Sequence, residues 1–118
     1  MYSNEEIINN AKSFYLKIGS IPCSALGNMN IVFGSVGWRH ILWKNRLPRN
    51  TSDKLRRIKL LKYAPVVVNK GCLIFYRQDY KNGILGKFWK LKMKINNKEV
   101  KVVIRQIGGG DINFFSIM

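Results

Sequence analysis

An α+β fold, with N-terminal helices packed on an antiparallel sheet of four or five strands, is what the apolar pattern predicts. Helical spacing governs the residues up to about 70, and a period of two governs those from Cys72 onward. Asn82-Gly83, Asn96-Asn97 and Gly108-Gly109-Gly110 punctuate the second part as hairpin or loop connections. A chain of 118 residues has room for one core and one domain, with a helical part of about 1–70 and a sheet of about 71–118. Because 47% of the residues are hydrophobic, the charge decorates a folded globule.

Ser3-Asn4-Glu5-Glu6 reads as a capping box, the Ser3 hydroxyl accepting from the Glu6 amide while Glu6 reaches back. Ile7, Ile8, Ala11, Phe14, Tyr15 and Ile18 then recur at helical spacing until Gly19, which predicts an amphipathic helix over about 4–18. Its near-neutral charge assigns it to packing. A loop containing Pro22 leads to a short strand candidate, Asn30-Ile31-Val32-Phe33-Gly34, and then to a segment running from Trp38 to Trp43. Pro48 breaks that segment, and Thr51 or Ser52 caps a second helix with Leu55, Ile58 and Leu61 on one face. This helix should end before Pro65.

Strands are expected at about 72–79, 85–95, 99–106 and 112–117, in an antiparallel meander. In the second of them Trp89, Leu91, Met93 and Ile95 alternate with Lys90, Lys92 and Lys94, so one face is core and the other wet and basic. In the third, Val102 and Ile104 share a face and leave Lys101, Val103 and Arg105 opposite.

Charge is the strongest compositional signal: 21 Lys and Arg stand against 6 Asp and Glu, a formal net charge of +15. In residues 1–30, Lys12 and Lys17 balance Glu5 and Glu6, so the excess lies beyond them. The densest stretch runs from Arg39 to Lys62, where Asp53 is the one acidic residue. A field of this kind draws a protein to nucleic acid by counterion release, although a solubilising surface is the plainer reading. There are no low-complexity tails, so folded elements carry the charge. Cys23 and Cys72 have no metal-ligand spacing and are expected as reduced, buried thiols unless the fold pairs them. No metal or other cofactor is expected. No apolar run approaches the ~20 residues of a membrane span, and the start lacks a basic n-region, so a soluble chain is expected. The initial Met fits either a natural start or a domain of a longer protein.

Metal-free RNA cleavage must move the 2′-hydroxyl proton, stabilise a phosphorane and protonate a leaving oxygen. His40, the sole histidine, stands in Gly37-Trp38-Arg39-His40-Ile41 at the head of the basic stretch, and imidazole titrates near neutrality. A lone histidine is more often structural. Arg46, Arg49, Arg56 and Arg57 have guanidiniums suited to gripping phosphate, or serve only solvation. Arg105 is more specific, because it interrupts the apolar run Val102-Val103-Ile104. Ser116 is either an edge polar residue or a hydroxyl aimed at phosphate. Trp38 and Trp43 lead the aromatic residues that could stack on unpaired bases instead of joining the core. The triple glycine follows a strand without opening a helix, so it is a turn and not a phosphate loop.

Four segments together resemble the bacterial toxin ribonucleases grouped with barnase, EndoU, colicin and RelE nucleases. They are Ile21-Pro22-Cys23-Ser24-Ala25-Leu26-Gly27, Val36-Gly37-Trp38-Arg39-His40-Ile41, Arg57 to Pro65, and Val102-Val103-Ile104-Arg105 leading to Phe114-Phe115-Ser116-Ile117-Met118. The similarity is greatest to the C-terminal toxin domains of contact-dependent growth inhibition proteins and related phage-borne domains. It implies a twisted antiparallel sheet with the nuclease site on its exposed face. It also implies His40 as acid or base, Arg57 and Arg105 as phosphate-binding cations and Ser116 as a hydroxyl donor. Arg46 or Arg49 would be a further cation; Arg56 and Trp38 join them as substrate-binding candidates on the charge and stacking readings above, not on the resemblance. Where such nucleases often carry another histidine, this chain has Asn113 and Phe114, which excludes a two-histidine mechanism.

The resemblance further implies cleavage of tRNA by 2′-hydroxyl attack, leaving a 2′,3′-cyclic phosphate, and a cognate immunity protein with an acidic surface. Such a domain would be secreted or delivered at the cell surface within a larger effector and act in the target-cell cytoplasm. Two other readings suit the charge: a non-catalytic RNA- or DNA-binding module, and a domain that docks on an acidic protein or anionic membrane surface.

Overall fold

The computed structural model describes residues 3–118. Helix α1, Asn4–Ile18, starts where Ser3 accepts from the Glu6 amide at 3.2 Å and stops at Gly19, whose φ of 70° suits glycine. It buries Tyr15, whose hydroxyl donates to the Gly34 carbonyl at 2.6 Å. The expected loop around Pro22 is instead strand β1, Ser20–Cys23, which pairs antiparallel with β2, Met29–Val32. Proline is tolerated there because β1 is a sheet edge.

The segment from Trp38 to Trp43 is mostly helical: α2 covers Ser35–Leu42, and β3, Trp43–Lys44, follows. A tight turn at Asn45 and Arg46, both at positive φ, returns the chain through β4, Leu47–Pro48. The second expected helix is α3, Thr51–Leu60, but its cap is Asn50, whose side chain accepts from the Asp53 amide at 2.8 Å. Thr51 and Ser52 already lie inside the first turn. A 3₁₀ turn at Leu61–Tyr63 follows, and Pro65 then sits in the first turn of another helix, α4, Ala64–Lys70. Proline stops a preceding helix yet suits the start of the next, where its missing N–H costs nothing.

The meander matches expectation: β5, Cys72–Lys81; β6, Ile84–Ile95; β7, Lys98–Ile107; β8, Ile112–Ile117. Asn82-Gly83 and Asn96-Asn97 all have the positive φ that two-residue hairpins of the favoured hand require. Among the described residues the sheet is larger and mixed, with six strands in the order β1-β2-β8-β7-β6-β5. This corrects the four- or five-stranded antiparallel expectation. Strand β2 joins β8 in parallel through Ile31 to Ile112 and Val32 to Asn113, so the N-terminal part also builds the sheet.

One face of the sheet carries Leu91, Val102, Ile104 and Phe114 into a core closed by Tyr15, Trp38, Ile41, Leu61, Val67 and Val68. The other face stays open and basic. Cys23 is buried, as expected, but Cys72 is exposed on the edge strand, and both thiols are free.

Candidate functional site

Helix α2 meets β8 beyond the last pair that β8 makes with β2, and Gly37 permits the approach. A Cβ at Gly37 would lie 2.6 Å from the Phe114 carbonyl and 2.5 Å from the Tyr15 hydroxyl. Because α2 runs at this strand margin, Trp38 and Ile41 turn into the core while His40 packs on Phe115 of the open face. Strand β8 prepares that face with a bulge. Val103 pairs with Ser116 and Ile104 with Phe114, so Phe115 is the extra residue and reaches the open face. The His40 and Phe115 rings lie 4.2 Å apart, and the Arg105 guanidinium lies 4.4 Å from the same Phe115 ring.

Together with Val36, Arg39, Trp43, Asn45 and Arg46, these three residues line an open cleft of about 290 Å³. Arg46 enters it from a left-handed backbone position, φ 68°, where glycine or asparagine is the low-strain choice.

Behind the cleft lies a second group of predicted residues. Arg49 is only 8% exposed; its Nε donates to the His40 carbonyl at 2.9 Å, and its Nη1 donates to Asp53 at 2.9 Å. Its Nη2 lies 3.4 Å from His40 Nδ1. A guanidinium can only donate, so this contact places the proton of a neutral imidazole on Nε2. Arg57 donates through Nε to Asp53 at 3.3 Å and through Nη1 to Ser116 Oγ and the Ile117 carbonyl, each at 3.0 Å. Asp53 therefore ties Arg49 and Arg57 into one frame beneath His40. Burial alone would raise its carboxyl, but hydrogen bonds from Arg56 and Arg49 and the nearby Arg57 charge hold it below the ordinary value.

These positions correct several sequence assignments. Trp38, expected to stack on bases, is 9% exposed and packs against Tyr15 at 5.7 Å between ring centroids. Trp43 is 47% exposed and lines the cleft in its place. Arg49 is a buried support, not an open phosphate ligand. Ser116, at 3% exposure, accepts from Arg57 instead of offering a hydroxyl to solvent. Arg56 is exposed but points its guanidinium to Asp53, 2.7 Å away, and does not line the cleft. His40, Arg46 and Arg105 line one cleft, with Arg57 largely buried behind them. Arg39 and Asn45 carried no separate sequence signal beyond their nearness to His40 and the turn. Asp53 was conspicuous only as the one acid in a basic stretch.

Burial first, and then the charges of Arg49, Arg57, Arg105 and Lys44, push His40 down to about 4. Burial also lowers Arg105 and is the first cause lowering Arg57, which has Arg49 beside it. The sign of the consequence for His40 is definite. Its folded value lies below the ordinary 6.5, so the unfolded chain binds more protons between about 4 and 6.5. Its contribution to stability is therefore present above about 6.5 and is lost as pH falls toward 4. Thermal melts between pH 4 and 7 should show wild type losing stability over that window, with a shallower dependence in His40→Gln. Equal slopes would mean that the imidazole is not held neutral.

Among the described residues, no three His, Cys, Asp or Glu side chains gather as a metal-ligand set, and no helix is long and apolar enough to cross a membrane. In comparisons with known proteins, the chain matches no family model, no curated protein and no solved structure.

Proposed function

We propose that the protein is a metal-independent endoribonuclease whose reaction takes place in the cleft between His40, Arg46 and Arg105. The observation that carries this reading is a single half-buried imidazole encircled by guanidiniums on an open, basic sheet face. Arg105, Arg46 and Arg39 supply fixed positive charge for a phosphodiester, and Trp43 supplies an exposed ring for an unpaired base.

In the reaction, the 2′-oxygen bonds to phosphorus as the bond from phosphorus to the 5′-oxygen breaks. The 2′-hydroxyl proton passes to water, and His40, protonated at both nitrogens with its Nδ1 contact to Arg49 opened, gives the departing 5′-oxygen its Nε2 proton and becomes neutral. The products are a 2′,3′-cyclic phosphate and a 5′-hydroxyl. Free His40 is neutral at pH 7, but a bound phosphate offsets the surrounding cations and raises its affinity for a proton. Cationic stabilisation of the phosphorane falls to Arg105 and Arg46, with Arg57 and Arg49 acting from behind.

The resemblance described above points to tRNA as substrate, to delivery within a larger effector and to an acidic immunity protein as partner. The charge of +15 suits both polyanions. The test is incubation of purified protein with total tRNA in EDTA, beside Arg105→Ala, with end-group analysis of the fragments. Wild type should cut and leave cyclic phosphate, and Arg105→Ala should cut at least about tenfold more slowly. Intact tRNA with salt-sensitive binding would favour a non-catalytic RNA-binding module instead.

A further inference from the structure

A second cavity, of about 360 Å³, adjoins the cleft and shares Arg105 with it. Its origin lies in one row of the sheet, where Asp79 of β5, Gly86 of β6 and Ile107 of β7 are direct partners. Gly86 has no side chain, so a trough opens between its two neighbours. A Cβ placed there would still lie 3.5 Å from both Ile107 and Phe88. The next row, Phe88 with Arg105, forms one wall, and Asn82 of the hairpin turn reaches the rim. The space thus has apolar and aromatic sides, Arg105 at the end facing His40, and the Asp79 carboxylate at the other, with Lys81 as a second cation in the lining.

Asp79 is the one acid lining either cavity, among the described residues, in a protein whose open face is otherwise basic. A carboxylate here opposes phosphate binding, so it suits a different part of the substrate. Its Oδ2 is ion-paired with Arg77 Nε at 3.2 Å without a hydrogen bond between them, so both carboxylate oxygens retain acceptor capacity. An acceptor-only group selects a base edge with adjacent donors. Guanine offers N1–H and the N2 amino group side by side, while its O6 can accept from the Asn82 amide. Adenine and cytosine turn a ring-nitrogen lone pair toward the same carboxylate, and uracil flanks its single N–H with two carbonyls.

The geometry points to a guanine-binding subsite between Asp79 and Ile107, which holds the nucleotide that supplies the attacking 2′-hydroxyl. This inference rests on the nuclease reading for its direction. If His40 protonates the 5′-oxygen of the downstream nucleotide, the upstream base lies across Arg105 from His40, on the Asp79 side. Cleavage should then fall 3′ to guanosine.

Two measurements separate the subsite from the chemistry. Titration with guanosine, adenosine, cytidine and uridine 3′-monophosphates should give about tenfold tighter binding of the guanosine compound, and Asp79→Asn should erase the preference. Gly86→Val, which fills the trough, should weaken that ligand as well. Mapping cuts in a mixed-sequence RNA should place them after guanosine, with the ratio of cuts after guanosine to cuts after adenosine falling toward one in Asp79→Asn. Equal binding of all four monophosphates, or unchanged cut distribution in Asp79→Asn, would overturn the subsite while leaving the nuclease intact. Selective, Asp79-dependent guanosine binding without any cleavage would uphold the subsite and sink the nuclease reading.

Discussion

His40→Ala should lower RNA cleavage by about 10²- to 10⁴-fold, the range expected when a positioned proton donor is removed. The ring touches Phe115, and its backbone carbonyl rather than its imidazole receives the strongest Arg49 contact. The substitution therefore leaves the Arg49, Asp53 and Arg57 frame in place. RNA affinity should stay within a few-fold of wild type, because Arg39, Arg46 and Arg105 still line the cleft. The pH profile identifies the role. As a proton donor whose free value is about 4, His40 makes kcat/KM fall as pH rises above that value. A base would make kcat/KM climb through the same region. In kcat, which reports the bound complex, the fall should begin at higher pH, because the phosphate favours the protonated ring. Cleavage by His40→Ala at the wild-type rate would remove the imidazole from the mechanism.

Gly37→Ala should damage the fold markedly for so small a substitution. The added methyl would sit 2.5 Å from a Phe114 ring carbon and 2.6 Å from the Phe114 carbonyl, so either α2 or β8 must move. The strand is fixed by its pairing to β7, and Tyr15 is fixed by its bond to Gly34. Overpacking at such a site costs about 1–3 kcal/mol, a substantial part of the stability of a small domain. Denaturant unfolding against Gly109→Ala measures it. A Cβ at Gly109 meets nothing within 4 Å, so the control should change stability by at most about 0.5 kcal/mol. His40 lies one turn further along α2, so activity should fall in the surviving folded fraction of Gly37→Ala too. Equal stability of the two variants would mean that α2 does not need this close seat.

Local chemistry made much of the chain legible. Ser3 and Gly19 bound a 15-residue amphipathic helix, and the asparagine turns set the hairpins of a period-two meander. Shorter elements escaped. Helix α2 has 8 residues and α4 has 7, too few for a stable helix without tertiary support, and the valines of α4 favour strand over helix. The parallel joining of β2 to β8 depends on residues some 80 positions apart, which no local pattern encodes.

At the site the division follows the same physics. From the sequence alone came the lone imidazole, the cations crowded around it in the chain, and Arg105 placed by alternation on the open face. Which arginines meet solvent was decided only in three dimensions. Arg49 and Arg57 satisfy their donors on Asp53, a carbonyl or a serine behind His40, whereas Arg46 is carried into the cleft by a turn. The choice of Trp43 over Trp38 follows from α2 lying at the β8 margin, which turns one indole inward. Charge and periodicity are properties of the chain, but exposure depends on which distant segments fold over each side chain.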